Sequence, residues 1–584
     1  MKLSDYVIDF LVNQGIFHIF ELIGGAITHL VDSTYDRDDI TCVSVHHEQA
    51  AAFAAEAYAR INGKLGVAMA TSGPGALNLL TGIGSCYFDS IPCLFITGQV
   101  NTYEYKFNKP IRQIGFQETD IVSVARPIAK FAALVDDEKK IRYYLEKSVY
   151  LAQSGRPGPV LLDIPMNIQR SQIEPDNLES FFDSQEFKEM ANFDQKTGAV
   201  DKVISLMKNS KRPVILAGGG IRCAKATEDF LSLANMTGIP VGTSLMGLDS
   251  IPHNHSSFLG MIGTYGNRCS NFTLANSDFL LVLGSRLDTR QTGTLPETFA
   301  RGAKKVHVDI DSNELNSKIK ADVTVNCHLK EFLNEMISKI GITGMPDTSE
   351  WYKVIDNYRE FFLGSQTNED DNNPNHFIKH LSLHSRKGDI ICLDVGQHQI
   401  WAANSFNLKE KQRMLISGGM GAMGFAVPAS IGATMAAPGQ RVIAIVGDGG
   451  IQVNIQELDV IAARKLPIKI FVINNHCLGM VRQFQDMYFS GRRQSTIVGY
   501  SCPDLNKIAE AYGIPSFLIN SRQSTDSIMT EALRINGPAL VNVEFDQATF
   551  VDPKLLVNKP IEDMSPYINT EELKKLMIVD MLKE

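Results

Sequence analysis

Two side chains have the types and setting to hold a hard cation beside a phosphate: Asp448, in Gly447-Asp448-Gly449-Gly450, and Asn475, in Asn474-Asn475, 27 positions on (475 − 448). A carboxylate and an amide oxygen are both good Mg²⁺ ligands. Glycines let the backbone approach a phosphate, and a helix start adds N–H groups. Taken alone, Gly-Asp-Gly reads equally as a tight turn. The elements that must position the pair are legible. Val442–Val446 is an unbroken apolar run, the pattern of a strand buried on both faces. Ile455, Leu458, Ile461 and Ala462 fall on one helical face, and Ile468–Ile473 is a second buried strand. This β-α-β unit places Asp448 and Asn475 at the carboxyl ends of neighbouring parallel strands, where ligands bind in open α/β sheets.

The same grammar runs through the first third of the chain. Phe17–Leu22 leads into Ile23-Gly24-Gly25, and Ile40–Val45 into His46-His47-Glu48-Gln49. Val67–Ala70 leads into Thr71-Ser72-Gly73-Pro74-Gly75, Cys93–Ile96 into Thr97-Gly98-Gln99, and Val160–Asp163 into Ile164-Pro165. Apolar strands that end in glycine or polar clusters, separated by helices, indicate a doubly wound parallel sheet. Glu48 stands out because it follows a strand and opens an Ala-rich helix. It reads either as a helix-start carboxylate favoured by the helix dipole or as a catalytic acid.

Composition bounds the rest. At 584 residues the chain is too long for one core, and roughly 150 residues per domain suggests three or four domains. It is 44% hydrophobic and 21% charged, with a net charge of −9, so no nucleic-acid footprint is expected. No apolar run reaches the roughly 18 residues of a membrane span. Nine cysteines lie without C-x-x-C pairing, which favours reduced thiols in a cytoplasmic protein. Residues 166–195 are polar and mixed and read as a linker. A second α/β pattern then starts at Pro213, with Val214–Ala217 before Gly218-Gly219-Gly220 and Phe279–Leu283 before Gly284-Ser285-Arg286. The triple glycine reads equally as a bare turn. Asp347–Asn375 reads as a linker plus helix, before a third pattern that opens with Asp389–Leu393.

The strings His47-Glu48-Gln49-Ala50, Thr71-Ser72-Gly73-Pro74-Gly75, Tyr87-Phe88-Asp89-Ser90, Gly447-Asp448-Gly449 and Asn474-Asn475 resemble the acetolactate synthase (acetohydroxyacid synthase) large-subunit family of thiamine diphosphate enzymes. The resemblance implies three doubly wound α/β domains: pyrimidine-binding (1–175), FAD-type, Rossmann-like central (190–345) and diphosphate-binding (370–550), followed by a tail, 551–584. It implies that Glu48 hydrogen-bonds the cofactor's aminopyrimidine, and that Gln99 and Gln117 are catalytic. It places Gly24, Gln397, His398, Gln399, Gly421, Met423, Gly449, Gly450, Gly479 and Met480 around the cofactor. Asp448, Asn475 and the Cys477 carbonyl become the Mg²⁺ ligands, and Phe116, Lys130, Arg290 and Phe484 the substrate contacts. For FAD, structural in this family, it points to Gly218, Gly219, Gly220, Thr243, Leu245, Met246, Gly263, Arg286, Asp288, Arg290, Asp309, Asp322 and Val323.

The chain departs from the family pattern at three places. Thr264-Tyr265 replaces Met-His, Leu287 and Thr289 alter the Arg-Phe-Asp-Asp-Arg string, and Phe484 stands where the family has a tryptophan in the acceptor pocket. The expected activity is decarboxylation of pyruvate and transfer of its two-carbon unit to a carbonyl acceptor. That acceptor is a 2-keto acid or, as the alternative, a nucleotide-linked keto-sugar; a catalytically silent cofactor-binding protein is a third reading. The family joins Glu48 and Asp448 across a dimer interface, so a homodimer or homotetramer is expected. The charged tail reads either as a cover for the site or as a solvated terminal helix.

Overall fold

The computed structural model describes residues 1–191, 198–343, 345–364, 373–520 and 525–582. Three six-stranded parallel sheets follow one another. The first holds β1 (His18–Leu22), β2 (Thr41–Ser44), β3 (Gly66–Ala70), β4 (Cys93–Gln99), β5 (Phe131–Leu134) and β6 (Val160–Pro165), in the order β2-β1-β3-β4-β6-β5. The second holds β7 (Pro213–Ala217), β8 (Val241–Thr243), β9 (Phe258–Met261), β10 (Phe279–Leu283), β11 (Lys304–Asp309) and β12 (Val323–Asn326), ordered β12-β11-β10-β7-β8-β9. The third holds β13 (Ile390–Leu393), β14 (Arg413–Ile416), β15 (Val442–Gly447), β16 (Ile468–Asn474), β17 (Ser516–Ile519) and β18 (Ala539–Glu544), ordered β14-β13-β15-β16-β18-β17. The first and third sheets thus share one topology. The middle sheet has the two-halved order of a dinucleotide-binding fold. The expected three-domain α/β architecture is borne out.

Five helices carry the site: α1 (Glu48–Asn62), α2 (Gln397–Ser405), α3 (Ala426–Ala436), α4 (Asp448–Val453) and α5 (Gly479–Tyr488). The Ala-rich sequence of α1 has a packing reason. A Cβ on Gly432 of α3 would stand 1.9 Å from the Ala54 carbonyl oxygen, and one on Gly82 2.2 Å from the Ala52 Cβ. Only small residues allow these helices to cross so closely. The first and third domains therefore share one apolar core, in which Phe53 meets Phe425 edge-on. Across this seam the Asp89 carboxylate accepts the Gly418 and Gly419 N–H groups at 2.8 and 2.7 Å, and pairs with Arg60 at 3.0 Å.

The presumed linker 166–195 is packed as far as it is described. Phe181 is fully buried among Tyr143, Tyr150 and Phe187, and the Glu146 carboxylate accepts the Phe181 N–H. The tail is not a solvated helix either. β19 (Lys554–Leu555) pairs with β20 (Met564–Ser565), and Ile561 and Leu573 enter the middle domain's apolar cluster. Among the described residues no helix is long and apolar enough to cross a membrane.

Candidate active site

β15 and β16 are adjacent and parallel, with Gly447 opposite Ile473, so Asp448 and Asn475 come off neighbouring strand ends as expected. Asp448 opens α4, is buried, and accepts a hydrogen bond from the Tyr500 hydroxyl at 2.7 Å. Burial pushes its carboxyl up to about 6, opposed by the Tyr500 bond. Asn475 gives its Nδ2 to Gln397 Oε1 at 2.9 Å and to Thr549 Oγ1 at 3.3 Å, which leaves Oδ1 as its open acceptor. The Cys477 carbonyl accepts the Gly479 N–H and keeps a second lone pair, while burial raises the thiol to about 11 and leaves it protonated.

The start of α2 lies against this cluster. A Cβ on Gly447 would stand 2.9 Å from the His398 ring. Burial lowers the His398 pKa to about 3, so the ring is neutral. Its Nε2 and the Gln399 Nε2 are buried without partners, which is costly unless a ligand satisfies them. Met423 joins the group: the position a Cβ on Gly449 would take lies 3.6 Å from the Met423 Sδ-methyl carbon and 3.5 Å from the Tyr500 hydroxyl. Gly421 and Gly424 on either side of it have φ of 65° and 81°, a left-handed backbone that favours glycine. Met480 is half-buried and packs on the core of the third domain.

Sequence reasoning gave Asp394 no role, yet it fastens the Met423 loop. Its carboxylate accepts N–H groups from Val395, Gly424 and Ala426 at 2.8 to 3.0 Å, and a Cβ on Gly450 would meet it at 2.7 Å. Burial raises it to about 6. Its only signal in the sequence is an acid directly after a buried strand.

In the first domain Glu48 is buried at the first turn of α1, and its Oε2 accepts from Asn78 Nδ2 at 2.9 Å. A Cβ on Gly75 would stand 3.0 Å from its Oε1, and one on Gly24 would clash with Thr71, so the Thr71–Asn78 segment walls the carboxylate. Asn78 was absent from the expected set. Gln117 belongs here too: its carbonyl lies 2.9 Å from where a Gly73 Cβ would be. The Glu118 carboxylate pins this loop through the Lys106 and Ile114 N–H groups, and leaves Phe116 86% exposed.

Several expectations need correction. Gln99 is fully buried; its Nε2 donates to Asp163 and to the Thr119 carbonyl, and its Oε1 accepts the Val100 N–H, so it positions the loop instead of facing a substrate. Lys130 donates to the Ser154 and Arg156 carbonyls at 2.7 and 2.8 Å and ties down a helix end. Gln397 spends its amide on Asn475, Gln483 and Thr549, so its side chain orients Asn475 and has no donor left for a phosphate.

A cleft of about 1710 Å³ opens at the carboxyl ends of the second sheet. Gly219, Gly220, Leu245, Met246, Arg286, Asp288, Arg290 and Asp309 line it, and it reaches Gly418–Gly421 of the third domain. Asp288 caps a short helix by accepting the Arg290 N–H, and burial raises Asp309 to about 6. The Arg286 guanidinium has no anionic partner among the described residues. Five expected residues stand outside the lining. Gly218 is packed on the Gly284 backbone, Thr243 is fully buried, and Gly263 backs onto the Arg290 carbonyl. Asp322 pairs with Lys304 Nζ and the Lys305 N–H, and Val323 is in the core. His328, Leu329 and Lys330 line the cleft in their place.

Comparison with known proteins agrees with this geometry. Residues 1–124 match the thiamine pyrophosphate enzyme N-terminal TPP binding domain, 200–336 the central domain, and 394–543 the C-terminal TPP binding domain. The chain is 36% identical over 559 residues to a probable acetolactate synthase large subunit of Methanocaldococcus jannaschii, covering 94% of this chain and 92% of that one. It is 35% identical over 579 residues to the acetolactate synthase large subunit of Lactococcus lactis, covering 97% of each. To the Haemophilus influenzae large subunit it is 32% identical over 582 residues, with 96% and 99% covered. With a thiamine pyrophosphate binding domain matched over its first and its third sheet, and large subunits of acetolactate synthase similar to it over nearly its whole length, the chain belongs to the thiamine pyrophosphate enzymes as an acetolactate synthase-like member.

Proposed function

We propose that this enzyme takes pyruvate as donor and transfers its two-carbon unit to a 2-keto acid, forming acetolactate. The observation that carries the reading is the presence in one chain of a buried Glu48 held by Asn78 and, in another domain, of the Asp448–Asn475–Met423 cluster. The names of the relatives favour a 2-keto acid acceptor over a nucleotide-linked keto-sugar.

The residues present fit thiamine diphosphate and Mg²⁺. The unpartnered His398 and Gln399 nitrogens suit diphosphate oxygens, and Asp448, Asn475 Oδ1 and the Cys477 carbonyl suit the cation. When bound, the cofactor supplies an electron sink for decarboxylation and a nucleophilic carbon. Glu48, held by Asn78, would meet the aminopyrimidine and hold or release a proton at its carboxylate, and Met423 would support the cofactor from below. Asp394 holds the Met423 loop in place. Among the described residues Glu48 and the Asp448 cluster share no hydrogen-bond partner, which fits a site completed by a second copy in a homodimer or homotetramer.

The cleft fits FAD in size; Arg286 would hold its phosphates and Asp309 would accept from a ribose hydroxyl, and a flavin held there would be structural. Nine free thiols suit a reducing compartment, the cytoplasm. The test is incubation of the purified protein with pyruvate, thiamine diphosphate, Mg²⁺ and FAD. Acetolactate formation is expected; absence of pyruvate turnover with every acceptor tried would overturn the reading.

A further inference from the structure

The tail carries a buried cation with no counter-ion among the described residues. Lys554 on β19 is only 9% exposed. The Leu555 N–H donates to the Thr264 carbonyl at 2.7 Å, which fixes β19 beside Tyr265. The ammonium lies 5.9 Å from the Tyr265 ring centroid, 5.7 Å from Phe484 and 5.7 Å from Tyr488. Its hydrogen-bond contact is a weak one, to Met487 Sδ at 3.6 Å. No carboxylate among the described residues pairs with it, and burial alone pulls its pKa below the ordinary lysine value. Aromatic faces offset part of the desolvation of an ammonium but do not neutralise it.

Its surroundings place it beside the reaction. Arg290, which lines the cleft, lies 6.0 Å from the same Tyr265 ring. Phe484 stands on α5, which starts at Gly479, directly after the cluster of Asn475 and Cys477. The tail is also wired to that cluster. Val551 and Gln483 exchange two hydrogen bonds of 2.9 Å, Gln483 accepts from Gln397, and Gln397 orients Asn475. Both cations lie against the Tyr265 ring, Lys554 also meets Phe484 and Tyr488, and no carboxylate among the described residues pairs with either cation, so an acid group of a ligand would complete the set.

We propose that Lys554 is a specificity-determining residue that binds an acid group of the acceptor, carboxylate or phosphate, in the box walled by Tyr265, Phe484 and Tyr488 and shared with Arg290. The proposal rests on the carboligase reading. It makes the C-terminal tail part of the acceptor site.

The test compares wild type with Lys554→Met and Lys554→Arg, with pyruvate as donor and three acceptors: 2-ketobutyrate, glycolaldehyde phosphate and uncharged propanal. Losing a charge-assisted contact should raise the Lys554→Met KM for the acid-bearing acceptor by about 10- to 100-fold relative to propanal, with kcat less affected, and Lys554→Arg should restore most of the loss. The acceptor that shows the selective loss identifies carboxylate or phosphate. An equal change for propanal and both acids, or no change, would overturn the proposal. Calorimetric binding of 2-ketobutyrate and of glycolaldehyde phosphate to the full chain needs no turnover: weaker binding of one of them to Lys554→Met supports the proposal, and equal affinities for both contradict it. Absent pyruvate turnover with binding still dependent on Lys554 would sink the proposed function while leaving this anion site standing.

Discussion

Asn475 donates its Nδ2 to Gln397 Oε1 at 2.9 Å, and that hydrogen bond decides which end of the amide a cation can meet. With Nδ2 engaged, Oδ1 is the free donor atom for a metal. Gln397 is held in turn by Gln483 and the Thr549 carbonyl, so Asn475 is oriented through the groups behind it, as a metal ligand would need.

Replacing Gln397 with Leu should therefore weaken Mg²⁺ activation by about 10- to 100-fold, as loss of an orienting partner does elsewhere. Activity against Mg²⁺ concentration measures this. An unchanged half-saturation point would show that Gln397 does not orient Asn475.

Asp394→Asn puts an amide NH₂ where a carboxylate oxygen now accepts a backbone N–H from Gly424 or Ala426. One buried donor then faces another, costing about 1–3 kcal/mol. Thermal unfolding should show that loss, together with weaker thiamine diphosphate binding, because the loop that carries Met423 is released.

Lys130→Met should lower stability by about 1 kcal/mol, since two part-buried carbonyls just past the helix Ile141–Gln153 lose their donor. The KM for pyruvate should not change. A selective rise in KM with stability intact would return Lys130 to the substrate contacts.

Glu457 sets a pH dependence at the seam between the first and third domains. Its carboxylate accepts the His46 N–H, and burial raises it to about 7. The folded chain therefore binds this proton more tightly than the unfolded chain does. The stability it contributes is full below the unfolded carboxyl value and is lost as pH rises through about 7. Glu457→Gln removes this titration, so its melting temperature should gain on wild type between pH 6 and 8. Parallel curves would contradict the assignment.

How much of this was readable in advance divides along one line. Asp448 and Asn475 were legible because strand, glycine turn, helix and strand are all local. The three-sheet architecture was legible for the same reason. Asp394 and Asn78 were not, because their partners are distant or become neighbours only in the fold: Asp394 reads as an ordinary strand end until Gly424 and Ala426 come to it. Motif matching named Gln99, Lys130 and Gln397, but a residue type does not say where its amide or ammonium points. Residues 166–195 looked like a linker because they are polar, and Phe181 shows how one buried aromatic overrides such a composition. The tail's role depends on β19 pairing with β20 and on the Thr264 carbonyl, and no local pattern encodes either contact.

The central claim is that Glu48 is the proton-handling partner of a cofactor seated on Asp448 and Asn475. Hydrogen–deuterium exchange at thiazolium C2 of bound thiamine diphosphate, followed by NMR, tests it most directly. Glu48→Gln should still bind cofactor but exchange about 10²- to 10⁴-fold more slowly than wild type. Exchange at the wild-type rate in a Glu48→Gln enzyme that holds its cofactor would contradict the account.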